Sequence, residues 1–149
     1  LLGTKKQMTA DATSTVTTLA DITGLDFAAA ADTDYLFILL LLYQSAATTC
    51  GASFSMNGPA APAGRGPAWD SGIQVLGGPS TSSIQHKAQV AIDALHTTAT
   101  VDAANTTRVA RFSGVWPVGT TGGTLTPRFA SEVSGTQIKV LKGSWLLVL

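Results

Sequence analysis

Charge is what this chain has least of. Nine basic and nine acidic residues among 149 make 12% of the sequence, about half the usual share, and leave a formal net charge of zero. A neutral chain without a basic face has nothing with which to displace counterions, which argues against a nucleic-acid partner. There is one cysteine, Cys50, so neither an intramolecular disulfide framework nor a multi-cysteine zinc site can form. Two histidines, His86 and His96, sit outside any paired-ligand spacing, and no G-x-S-x-G elbow is present. The opening LLGTKKQM has no long apolar run after its lysine pair and does not read as a signal peptide.

Small and threonine-rich sequence takes the place of the missing charge. Alanine, serine and glycine cover surface without the side-chain entropy cost of lysine or glutamate, and threonine favours strands. A monomer usually keeps more charge than this for solubility, so the composition implies that partners cover much of the surface.

Turn signals recur at short intervals: Asp21 to Gly24, Ala31 to Asp34, Asn57-Gly58-Pro59, Gly77-Gly78-Pro79, Gly119 to Gly123 and Ser134-Gly135. Between them the sequence alternates with period two. Ala52, Phe54 and Met56 oppose Ser53, Ser55 and Asn57; Ile138 and Val140 oppose Gln137 and Lys139; Trp145 and Leu147 alternate with Leu146 and Val148. Many short strands with this punctuation predict an all-β protein, an antiparallel β-sandwich with a jelly-roll-like arrangement, formed by residues 1–149 as one domain. Residues 1–12 are expected as an N-terminal arm, and residues 58–80, rich in proline and glycine, as a long irregular loop within which Gly72 to Leu76 could form a short strand. Ile84 to Leu95 fits a strand or a helix, and the surrounding β pattern favours the strand. A faint internal echo links the segments beginning at Ala31 and Ala104. Each has a long apolar strand, a small-residue turn containing Thr-Thr and a return strand, as in two related hairpins.

The most hydrophobic stretch is Tyr35 to Tyr43, YLFILLLLY. It is far shorter than the roughly twenty residues of a membrane-spanning helix, and Asp32, Asp34 and Gln44 flank it. It lacks the apolar–polar alternation of a membrane barrel strand and the polar face of an interfacial helix. A strand dry on both faces remains, one face toward the sandwich core and the other toward another element or subunit.

No constellation of residues dictates a chemistry, so the sequence predicts no catalytic residue, metal site, cofactor or enzymatic activity. Gly119 to Thr124 lacks the Gly-Lys-Ser/Thr ending of a phosphate loop and reads as a hairpin turn. Trp116 and Trp145, in apolar strands, are expected in the core. Trp69, beside Arg65 and Asp70 in the proline-rich loop, is expected as an exposed anchor. The expected subunit or partner interface is therefore Tyr35, Phe37, Leu40, Leu42, Arg65, Trp69 and Asp70.

Two segments carry a family resemblance. Thr9 to Thr49 has a threonine-rich start, then Asp21-Ile22-Thr23-Gly24-Leu25-Asp26-Phe27, then the long apolar strand ending in Tyr43. Gly122 to Leu149 contains Arg128-Phe129-Ala130-Ser131-Glu132 and closes on Lys142-Gly143-Ser144-Trp145-Leu146. Both resemble β-sandwich proteins of tailed bacteriophages that serve as head-decoration proteins or as tail and fibre modules. The resemblance implies a virion structural protein, a homotrimer, bound to the major capsid protein or other virion proteins on the capsid surface. It transfers no active-site residue. A tail or fibre module binding a host-surface glycan is the alternative, and an unrelated secreted enzyme or carbohydrate-binding domain the third reading.

Overall fold

The computed structural model describes residues 3–77 and 82–149. Thirteen strands and no helix occur among them: β1 (Thr4–Gln7), β2 (Ala12–Ser14), β3 (Ala20–Asp21), β4 (Phe27–Ala29), β5 (Asp34–Ser45), β6 (Ala52–Asn57), β7 (Ala68–Gly77), β8 (Ser82–Gln89), β9 (His96–Thr97), β10 (Arg108–Pro117), β11 (Gly123–Ser131), β12 (Ile138–Val140) and β13 (Trp145–Val148). They form two antiparallel sheets packed face to face, the all-β sandwich expected from the alternation. The large sheet runs β1-β13-β5-β10-β7-β8, with β12 and β2 attached beside β5; the small sheet runs β3-β11-β6-β9, with β4 on β11.

The pairing is nested. β1 pairs with β13, β3 with β11, β5 with β10, and β6 with β9. First therefore meets last, second meets second-last, and so inward, which is a long hairpin rolled into two sheets: a jelly roll. The β7–β8 hairpin is inserted between β6 and β9 and widens the large sheet beyond β10.

The Ala31 and Ala104 segments take equivalent places in this scheme. Each crosses from the large sheet to the small one, β5 to β6 and β10 to β11, and the two units pair antiparallel in both layers. They are arches between sheets rather than hairpins, because each return strand joins the opposite layer. The Gly119 to Thr124 turn changes role accordingly, from hairpin to arch.

Inside, Phe54 of the small sheet meets Tyr43 and Phe112 of the large one edge-to-face, with centroids 5.2 and 6.2 Å away. Ile22, Leu25, Leu39, Leu41, Met56 and Leu125 are fully buried around them. Between β12 and β13 the turn keeps β5 bonded: Leu141 N donates to Leu42 O at 2.8 Å, and Leu42 N donates to Ser144 Oγ at 3.0 Å.

Several boundaries differ from the sequence reading. Residues 1–12 are no free arm: Thr4–Gln7 is an edge strand on β13 and Ala12 begins β2, while Leu1 and Leu2 lie outside the described residues. The irregular loop is shorter than 58–80, because Ala68–Gly77 pairs with β10 and β8; residues 78–80 lie outside the described residues. Ile84 falls in a strand that ends at Gln89, and Ala91 to Ala94 turn toward β9.

Candidate interaction face on the large sheet

β5 sits at the centre of the large sheet, and its side chains alternate between two environments. Phe37, Leu39, Leu41 and Tyr43 point into the core, at most 1% exposed. Leu36, Ile38, Leu40 and Leu42 point outward, with Leu36 and Ile38 exposed by 52% and 44%. The second dry face is real as sequence, and among the described residues nothing covers Leu36 and Ile38, while Leu40 and Leu42 are half-buried.

The register extends that face sideways. Ile38 stands opposite Leu147 on β13 and Ser113 on β10, and Ser113 in turn opposite Asp70 on β7. Leu40 stands opposite Trp145 and Arg111, and Arg111 opposite Gly72, which faces His86 on β8. Flanking rows add Leu42 with Val109 and Leu36 with Val115. The result is an aliphatic band along β13 and β5, bordered by a polar column from β10 to β8.

A groove of about 790 Å³ runs across these rows. Ile38, Leu40, Val109 and Trp145 line it together with Asp70, Gly72, Ile84, His86, Arg111 and Ser113. Gly72 supplies the depth: a Cβ there would stand 3.1 Å from His86 Cε1 and 3.2 Å from Ile84 Cγ2, so these two side chains lean over the space it leaves. Among the described residues neither Arg111 nor Asp70 forms an ion pair or side-chain hydrogen bond, although both border the groove.

The expected interface residues divide. Leu40, Leu42 and Asp70 all lie on the outer face, and Leu40 and Asp70 both line the groove. Phe37 does not: it is 1% exposed in the core, because the apolar run has no polar residue to mark which parity points inward. Trp69 is likewise no exposed anchor. It is 3% exposed, on β7 rather than in a loop, and stacks on Trp116. Tyr35 lies on the inner side at the margin of the core, edge-to-face with Phe27 at 5.1 Å, its hydroxyl accepting from Ala30 N at 3.0 Å. Arg65 lies apart from the groove, ion-paired with Asp34 at 2.5 Å on the surface. Trp145, expected in the core, is half-buried on the outer face, since Leu146 and Val148 take the inward positions of β13. Arg111, Ile38, Leu147 and Val109 were missed. A row of apolar residues on the second parity of both β5 and β13 was the available signal.

Ser71 and His96 meet in the core, bonded to each other and to the backbone. Ser71 Oγ donates to Lys87 O at 3.0 Å, which leaves the 2.7 Å contact with His96 Nδ1 to be donated by the ring. A serine whose proton is held by a backbone carbonyl is not being activated by that histidine. Burial, followed by Lys87 and His86, lowers the pKa of His96 below the ordinary histidine value. Cys50 is 1% exposed, its Sγ 3.3 Å from Ser131 Oγ. Among the described residues no group of three or more His, Cys, Asp or Glu could hold a metal ion. No family model matches the chain, and no curated protein matches it in sequence.

Proposed function

We propose that the chain is a structural protein of a virion, a capsid decoration or cement protein that docks on the phage head and stabilises it through protein contacts. The observation that carries this reading is the uncovered aliphatic face of β5 and β13, with Leu36 at 52% and Ile38 at 44% exposure in the middle of a sheet. A stable fold has no use for such a row on its solvent side, whereas an assembled shell buries it. The jelly-roll topology and the low charge are in keeping with a subunit that lives among neighbours.

The glycan-binding alternative has less support. Its anchor, Trp69, is in the core, and among the described residues the groove's accessible rings are Trp145 and His86. Ile38, Leu40 and Val109 on the groove floor suit an apolar protein surface, while the hydrogen-bonding groups, Asp70, His86, Arg111 and Ser113, stand along its polar border.

Electron microscopy of particles carrying this chain tests the proposal. Density repeating with the capsid lattice, in matching copy number, is expected. Density confined to the tail would overturn it.

A further inference from the structure

We infer that the outer face of the large sheet is a self-pairing surface, on which a second copy of this chain docks face to face about a twofold axis. This rests on the reading of the face as a protein-contact surface; it names a second copy, rather than the capsid itself, as what covers the face, and puts a twofold pair in place of the homotrimer that the resemblance implied.

The extent of the face suits a pair. Five strands, β13 to β8, of four, twelve, ten, ten and eight residues, at about 4.8 Å spacing and about 3.3 Å rise, span a plane of roughly 700 Å². That is roughly what each partner contributes to a stable interface of standard size.

Charge selects the occupant. Arg111 and Asp70 lie on neighbouring strands of the face, and neither forms an ion pair among the described residues. Covering them with an uncharged apolar surface would strand two charges away from water. A second copy brings the matching pair itself. In a twofold arrangement Arg111 of one copy meets Asp70 of the other, twice, while the Ile38 and Leu40 rows close over each other. The depression at Gly72, next to Asp70 in sequence and facing His86, gives the incoming guanidinium room. The chain's zero net charge means that two copies do not repel at long range.

The test is sedimentation equilibrium of the purified full chain, with Arg111→Asp, Asp70→Arg and the double variant alongside. Wild type is expected as a dimer of twice 15.2 kDa. Each single swap should weaken pairing by about tenfold or more, and the double swap should return it to within about threefold of wild type. Both positions are exposed on the sheet surface, so each variant should fold, shown by a cooperative urea transition with wild-type steepness even where weaker pairing shifts its midpoint. A monomeric or trimeric wild type, or a double variant no better than the singles, overturns the pairing. The virion reading stands or falls separately. A chain on the head that does not dimerise refutes only the pairing, and a dimer absent from heads refutes only the decoration role.

Discussion

Trp69 and Trp116 stack in the core with ring centroids 5.5 Å apart and planes inclined by 21°, tying β7 to β10. The inserted hairpin is thereby fixed to the jelly roll by more than its backbone ladder. Gly114, the Cα partner of Trp69, allows the approach: a Cβ there would lie 2.4 Å from Trp69 Cβ and 2.3 Å from Ala68 O.

Trp69→Ala is therefore expected to destabilise the fold by about 3–5 kcal/mol, the usual cost of deleting a buried large aromatic. Trp69→Phe should cost much less, because the Trp69 indole N–H has no hydrogen-bond partner among the described residues. Urea unfolding of both variants checks this. An unchanged midpoint for Trp69→Ala would mean that the ring is not packed where described.

The pH dependence at the acid end follows from His96. Burial first, then Lys87 and His86, holds its folded-state pKa below the ordinary value. The unfolded chain then binds a proton that the folded one does not, so stability falls as pH drops from about 6.5 toward the lowered pKa. His96→Asn, which keeps a donor for Ser71, should flatten the slope in that window. Denaturant midpoints at several pH values between 7 and 5 measure it.

At the alkaline end Tyr43 acts in the opposite sense. Burial pushes its hydroxyl up to about 12, while Arg108 and a hydrogen bond with Thr98 pull it down. The folded state keeps the proton longer than the unfolded one, so the stability present below pH 10 is lost between about 10 and 12. The loss should amount to roughly 2–3 kcal/mol. Tyr43→Phe should remove this dependence and cost about 1 kcal/mol at neutral pH, through loss of the 2.6 Å hydrogen bond to Gln74 O. Equal alkaline slopes for the two proteins would contradict it.

The sandwich was readable from the sequence because polar and apolar residues alternate in β6 and β12, and each alternation names the inward face. β5 and β13 gave no such sign, since both faces are apolar. Hence the sequence pattern puts Phe37 outside and Trp145 inside, when the reverse holds. Trp69 was misplaced for a different reason. Its neighbours in sequence are the residues of a loop, but Trp116, which buries it, arrives from β10, a strand that follows the whole inserted hairpin in sequence and pairs with β7 in space. The groove depends on the register of five strands, a non-local quantity that period-two patterns leave open. The nested pairing is beyond local pattern for the same reason.

Arg108 offers the last prediction. It is 2% exposed, beside its strand partner Tyr43, and its guanidinium is ion-paired with Asp102, which remains 29% exposed. Removing the acid leaves a buried cation with its main counter-charge gone, whereas removing the base leaves a carboxylate that can still reach water. Asp102→Asn should therefore cost roughly 3 kcal/mol, the low end for a broken buried pair given the partial exposure of the acid. Arg108→Met, which fills the same space without a charge, should cost clearly less. If urea unfolding ranks the two the other way, the buried guanidinium is held by packing and its remaining hydrogen bonds rather than by Asp102.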